Sequence, residues 1–147
     1  MSLIKKILPL TAIVFIVIQF IRPAPNKSET VLQTDISNTF AIPENVNALL
    51  KTCYDCHSNN TNYPWYSSIQ PMGWLIAEDI KDGKAKLNFN EFGSLSARRQ
   101  KSKLQEILNS IRDGIMPLPS YTLLHKSARL TIEDRKLLID WIEKNIQ

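Results

Sequence analysis

The sequence predicts an all-α protein, and three observations carry that expectation. Only four glycines occur in 147 residues. β-Branched runs are scarce beyond the N-terminus, and segments with apolar residues three and four apart recur along the chain, which is the period of a helix with one buried face. Setting aside an apolar N-terminal stretch leaves about 120 residues, enough for one domain with a modest core and too few for two. The net charge of +4 has a local source: Lys5, Lys6 and Arg22 flank the apolar stretch, and the rest of the chain sums to +1. The basic character therefore marks a membrane flank and excludes a nucleic-acid surface as its cause.

From Ile7 to Ile21 the chain is apolar except for Pro9, Thr11 and Gln19, and Leu3 and Ile4 extend the run past the lysine pair. About 19 to 20 residues in a helix just cross the hydrocarbon core. Lysines before the run and polar sequence after it place the amino end in the cytoplasm and the remainder outside. A cleaved secretory signal is the rival reading, but the small-x-small pattern of a cleavage site is not evident near Arg22-Pro23-Ala24-Pro25. Residues 1–22 are thus expected to form a transmembrane anchor or signal segment. Residues 23–40, with two prolines and no sustained periodicity, are expected to be a linker. The working domain is assigned to residues 41–147.

Within that domain, Val46, Leu49 and Leu50 share one side of a first helix running from about Glu44, just after Pro43, into Cys53. Asn59 to Tyr66 reads as a loop. Pro71 opens a second helix through Trp74, Leu75 and Ile80 that is expected to stop near Gly83. The third is the clearest: Leu104, Ile107, Leu108 and Ile111 follow the i, i+3, i+4, i+7 rule from a start near Ser94 or Ser96, with Gly114 as its stop. After a loop containing Met116-Pro117-Leu118-Pro119, Thr131 caps a last helix with Asp134 in the position of a variant capping box. Leu137, Leu138, Trp141 and Ile142 give that helix its buried face.

The two cysteines sit together in Cys53-Tyr54-Asp55-Cys56-His57, a C-x-x-C-H sequence of the kind that attaches a c-type haem. Two thiols separated by two residues can each form a thioether to one porphyrin, and the next residue turns its imidazole to the iron. Cys53 and Cys56 are therefore the candidate attachment points and His57 the candidate proximal ligand. Three other chemistries compete. A zinc site needs about four ligands, and beyond the cysteines the chain offers only His57 and His125. A thioredoxin-like pair belongs after a strand in a βαβ setting, whereas this pair closes a helix in an α-only chain. A plain disulfide would leave the adjacent His57 unexplained.

Further blocks follow the pentapeptide: Ser58-Asn59, then Tyr63-Pro64-Trp65-Tyr66, Leu87-Asn88-Phe89, Met116-Pro117-Leu118-Pro119 with Tyr121, and Leu124-His125 before Leu130-Thr131. With these blocks the chain resembles the single-haem haem-binding domain proteins of bacterial envelopes, which are cytochrome c-like, over nearly all of the soluble domain. The resemblance implies a small helical domain around one haem c per chain, at the periplasmic face of the bacterial cytoplasmic membrane. Asp79 stands where members of that family often carry a histidine.

Haem iron in electron carriers is commonly closed by a methionine thioether. Met116 lies in a Gly-x-Met-Pro loop 59 residues beyond His57, where the chain can return across the other haem face, and Pro117 stiffens that loop. The resemblance to class I cytochromes, whose distal methionine also precedes a proline, supports the same choice. Met72, His125 or an open position are the alternatives for the sixth ligand. A lone methionine is otherwise core filler, and a histidine beside Leu123 and Leu124 is otherwise a buried one satisfied by a carbonyl. Tyr63, Trp65 and Tyr66 are candidates to wall the porphyrin edge, with ordinary core packing as the bland reading of each. Lys84, Lys86, Arg98, Arg99, Lys101 and Lys103 form a basic stretch that is a solvated face or a rim steering an acidic redox partner.

The expected function is one-electron transfer with unidentified redox proteins, by a membrane-anchored carrier rather than an enzyme. The competing classes are a small peroxidase-like haem enzyme, using His125 or Asp79 at an open distal site, and a redox or gas sensor in which the distal ligand leaves the iron.

Overall fold

A computed structural model describes residues 3–28, 30 and 32–146; Met1, Ser2, Glu29 and Val31 of the expected anchor and linker lie outside the described residues. The chain is all-α, with no strand among the described residues. Its helices are α1 (Leu3–Ile18), α2 (Ile36–Thr39), α3 (Glu44–His57), α4 (Met72–Lys86), α5 (Ala97–Arg112), α6 (Pro119–Leu124) and α7 (Ile132–Ile146), with short 3-10 turns at Trp65–Ser68, Phe89–Ser94 and Lys126–Ala128.

The core forms where the periodic faces of α3, α5 and α7 meet. Val46 and Leu50 of α3, Leu104, Leu108 and Ile111 of α5, and Leu138, Trp141 and Ile142 of α7 join Phe89 and Phe92 in one buried cluster. The cap residues behave as the sequence suggests. The Thr131 amide donates to Asp134 Oδ2 (2.9 Å) while the Asp134 amide donates to Thr131 Oγ1 (3.1 Å), a reciprocal box that opens α7. Past the end of α5, Gly114 takes φ +68°, the left-handed conformation that a glycine adopts without steric cost.

Two expectations need correction. Gly83 does not end the second helix, because α4 continues to Lys86. An ideal Cβ at Gly83 would lie 2.7 Å from the Cys56 carbonyl oxygen, so the glycine permits close approach of two helices and is not a stop. The segment 23–40 is not a free linker. Ile36 is fully buried in the core cluster, with Phe40 packed against it, and Asp35 caps α2 by accepting from the Ser37 amide at 2.8 Å. Earlier in that segment Asn26 Nδ2 donates to the Ser58 carbonyl and to Thr61 Oγ1 (2.8 and 2.9 Å). The helix α1 spans 16 residues, and among the described residues no helix is long and apolar enough to cross a membrane. Its apolar side chains are exposed, from Ile7 through Val17, so the domain does not pack along it. The sequence reading did not include α2, α6 or the three 3-10 turns.

Candidate functional site

The cysteine pair lies inside the last two turns of α3. Helical geometry puts residues three apart on one face, and the two thiols are unpaired. Cys53 packs against the core cluster, while Cys56 faces a small cleft of about 30 Å³ shared with Asp55, Ile76, Asp79, Tyr121 and His125. Burial pushes the Cys53 thiol up to about 11, and burial together with the nearby Asp79 and Asp55 carboxylates pushes Cys56 up to about 11. A disulfide oxidoreductase needs the opposite, a thiol stabilised as thiolate.

His57 is held by two backbone carbonyls. Its Nδ1 lies 3.0 Å from the Gly83 carbonyl oxygen and 3.1 Å from that of Leu87. Both partners are acceptors, so Nδ1 carries the proton and donates, which leaves Nε2 with a free lone pair. Burial holds the imidazole below its ordinary range, opposed by those two carbonyls, so the ring is neutral. This is the condition that a metal-ligating histidine meets, one nitrogen fixed by a backbone acceptor and the other free to meet a metal. Phe89 meets the His57 ring edge-on at 6.0 Å and stacks on Tyr54 at 5.0 Å.

A polar network secures the motif from the side opposite the cleft. The Tyr54 hydroxyl donates to Asp35 (3.0 and 3.2 Å to its two oxygens), and Asn90 Nδ2 donates to Asp35 Oδ2 at 2.7 Å. Asn90 Oδ1 accepts from the Asn59 amide at 2.7 Å, and Asn88 Nδ2 donates to Asn59 Oδ1 at 2.9 Å. Sequence reasoning missed Asp35, Asn90 and Asn26. The signal available was Asp35 preceding Ile36-Ser37, an N-cap residue before an apolar one.

On the cleft side, Tyr121 of α6 donates to Asp55 Oδ2 at 2.6 Å and stacks on His125 with ring centroids 4.1 Å apart. This contact fastens α6 over the end of α3. The Tyr66 hydroxyl lies 3.2 Å from His125 Nε2. Asp79 is held above the usual carboxyl range by burial and by Asp82.

The remaining candidates are placed differently from expectation. Tyr63 does not line the cleft; its hydroxyl accepts from the Asn26 amide at 2.7 Å and clamps the preceding segment. Trp65 is 79 % exposed, edge-on to Tyr66, and Tyr66 reaches the cleft only through His125. Met116 is half-buried in the loop between α5 and α6, its amide donating to the Ser110 carbonyl at 3.2 Å, and neither it nor Met72 lines the cleft. Among the described residues no three His, Cys, Asp or Glu side chains gather as they would for a bare metal ion. The donor set instead suits a group that brings most of its own ligands: two neighbouring thiols to hold it, one oriented imidazole, and a cleft beside them.

A family model described as a haem-binding domain matches residues 13–144. Searches of curated proteins and of solved structures returned no match.

Proposed function

The chain belongs to the haem-binding domain family, and from that premise we propose that it is a c-type cytochrome of the bacterial envelope, anchored by α1 and acting in one-electron transfer. Cys53 and Cys56 hold one haem per chain through thioethers, and His57 Nε2 binds the iron. When bound, that group supplies an iron centre that exchanges single electrons. The observation that carries the reading is the pair of carbonyls, Gly83 and Leu87, on His57 Nδ1. They fix the tautomer and the ring orientation, and they raise the basicity of the ligating nitrogen. The raised thiols fit attachment better than thiol exchange.

Met116 is the proposed ligand on the other face. The loop that carries it follows directly from Gly114, whose left-handed turn redirects the chain at the end of α5. A thioether there raises the potential and suits a carrier. The anchor rests on α1, whose apolar side chains from Ile7 to Val17 are exposed. At 16 residues it is about 24 Å long, short of the roughly 30 Å core, and local thinning of the bilayer accommodates such a shortfall.

A second reading is favoured by one arrangement, the Tyr66–His125 contact beside Asp79 in the cleft with Cys56. These groups can hold and pass protons, as a small haem enzyme with an open distal position requires.

The test is expression with a c-type maturation system and optical spectra of both oxidation states. Covalently retained haem, low-spin iron and a weak sulfur-to-iron band that vanishes in Met116→Ala are expected. High-spin iron that takes up carbon monoxide favours the enzyme. Absence of covalent haem overturns the central claim.

A further inference from the structure

The end of α1 is not a loose tether. Gln19, one residue past the helix, is bonded twice to the domain: the Gln70 amide donates to Gln19 Oε1 (2.8 Å), and Gln19 Nε2 donates to the Gln70 carbonyl (3.2 Å). Trp74 Nε1 donates to the Ile21 carbonyl at 2.8 Å. Gln70 itself is 1 % exposed, so this junction is seated in the domain and fixes where the apolar helix leaves it. The elements it touches are the start of α4 and the 3-10 turn just before it. Those same elements carry large exposed apolar side chains, Trp65 at 79 %, Leu75 at 57 % and Ile69 at 40 %, and Phe20 at the junction is 83 % exposed.

Isolated exposed apolar residues are ordinary. A cluster around the root of an apolar helix that projects away from the domain has a specific partner, because whatever takes up α1 also meets its root. Tryptophan is the residue most at home at the lipid headgroup level. Arg22, whose Nε donates to the Gln19 carbonyl at 3.2 Å, sets a guanidinium at the same level, where anionic headgroups attract it.

We propose that the domain docks on the lipid interface of the membrane that holds α1, through Trp65, Ile69, Leu75 and Phe20, an inference that rests on the anchor reading above. Docking lets the segment from Gln19 to Ile21 occupy the interface.

The experiment is site-directed spin labelling of the full haem-loaded chain in nanodiscs of mixed zwitterionic and anionic phospholipid. Single cysteines replace Leu75, Phe15 or Lys136, and accessibility to oxygen is compared with accessibility to a nickel chelate. The Leu75→Cys label is expected to favour oxygen several-fold over the Lys136→Cys label, whose helix α7 packs on α3 and α5, and less than the Phe15→Cys label. If Phe15→Cys favours oxygen while Leu75→Cys matches Lys136→Cys, the anchor stands and the docking is overturned. If Phe15→Cys is itself open to the chelate, the anchor reading fails and the docking with it.

Discussion

At Gly83 two effects of one methyl group oppose each other. Alanine is favoured over glycine inside a helix by about 1 kcal/mol, but a Cβ there would meet the Cys56 carbonyl oxygen at 2.7 Å. That atom is backbone and cannot swing aside, and overpacking of this kind costs about 1–3 kcal/mol. Gly83→Ala should therefore destabilise the fold in urea unfolding and push α3 and α4 apart where the Gly83 carbonyl holds His57. A stabilised variant would show that the helices do not need this approach. The cysteine-histidine motif was fully legible in the sequence because its chemistry is local. The Asp35, Asn59 and Asn90 partners were not, because polar residues separated by tens of positions carry no spacing signal. The fold alone brings them together.

Among the elements, those read correctly are the ones with strong periodicity and a punctuating residue. For α5 these are the apolar row and Gly114, and for α7 the Thr131–Asp134 box. Thr131→Ala should lower stability by about 1 kcal/mol, measured by thermal unfolding. The Thr131 amide and hydroxyl hold Asp134 below the usual carboxyl range. Its contribution is thus present above the unfolded value and is lost as pH falls through the folded one; the residue 131 amide, the larger cause, survives in the variant, so Thr131→Ala should keep most of this pH dependence and remain the less stable form in acid. Segment 23–40 was misread because α2 has only four residues, too few to show a period. Ile36→Ala tests its place in the domain. A fully buried isoleucine in the core should cost about 2–5 kcal/mol, whereas a linker residue would cost almost nothing. Likewise, α6 is six residues long, and its position depends on the Tyr121–Asp55 contact rather than on propensity.

For the molecule as a whole, charge is distributed unevenly around the motif. Lys84, Lys86 and Lys103 line a shallow groove that includes Leu87 and Asn88, and the Leu87 carbonyl is one of the two that hold His57. A positive rim so close to the proposed iron ligand should steer an acidic redox partner. The electron-transfer rate with such a partner should fall as salt rises, and Lys86→Gln should flatten that dependence in stopped-flow measurements. A rate indifferent to ionic strength would reduce the groove to a solvated face.

The position of α7 also bears on biogenesis. Cys53 packs against the core cluster that Leu138, Trp141 and Ile142 help to form, and Trp141 Nε1 reaches back to the Ala41 carbonyl across 100 positions of sequence. The helix that closes the core around this thiol is therefore made some 80 residues after the motif. Until α7 arrives, the cysteine pair sits on an unfinished core; afterwards one thiol is covered. On the function proposed above, haem attachment would compete with this closure.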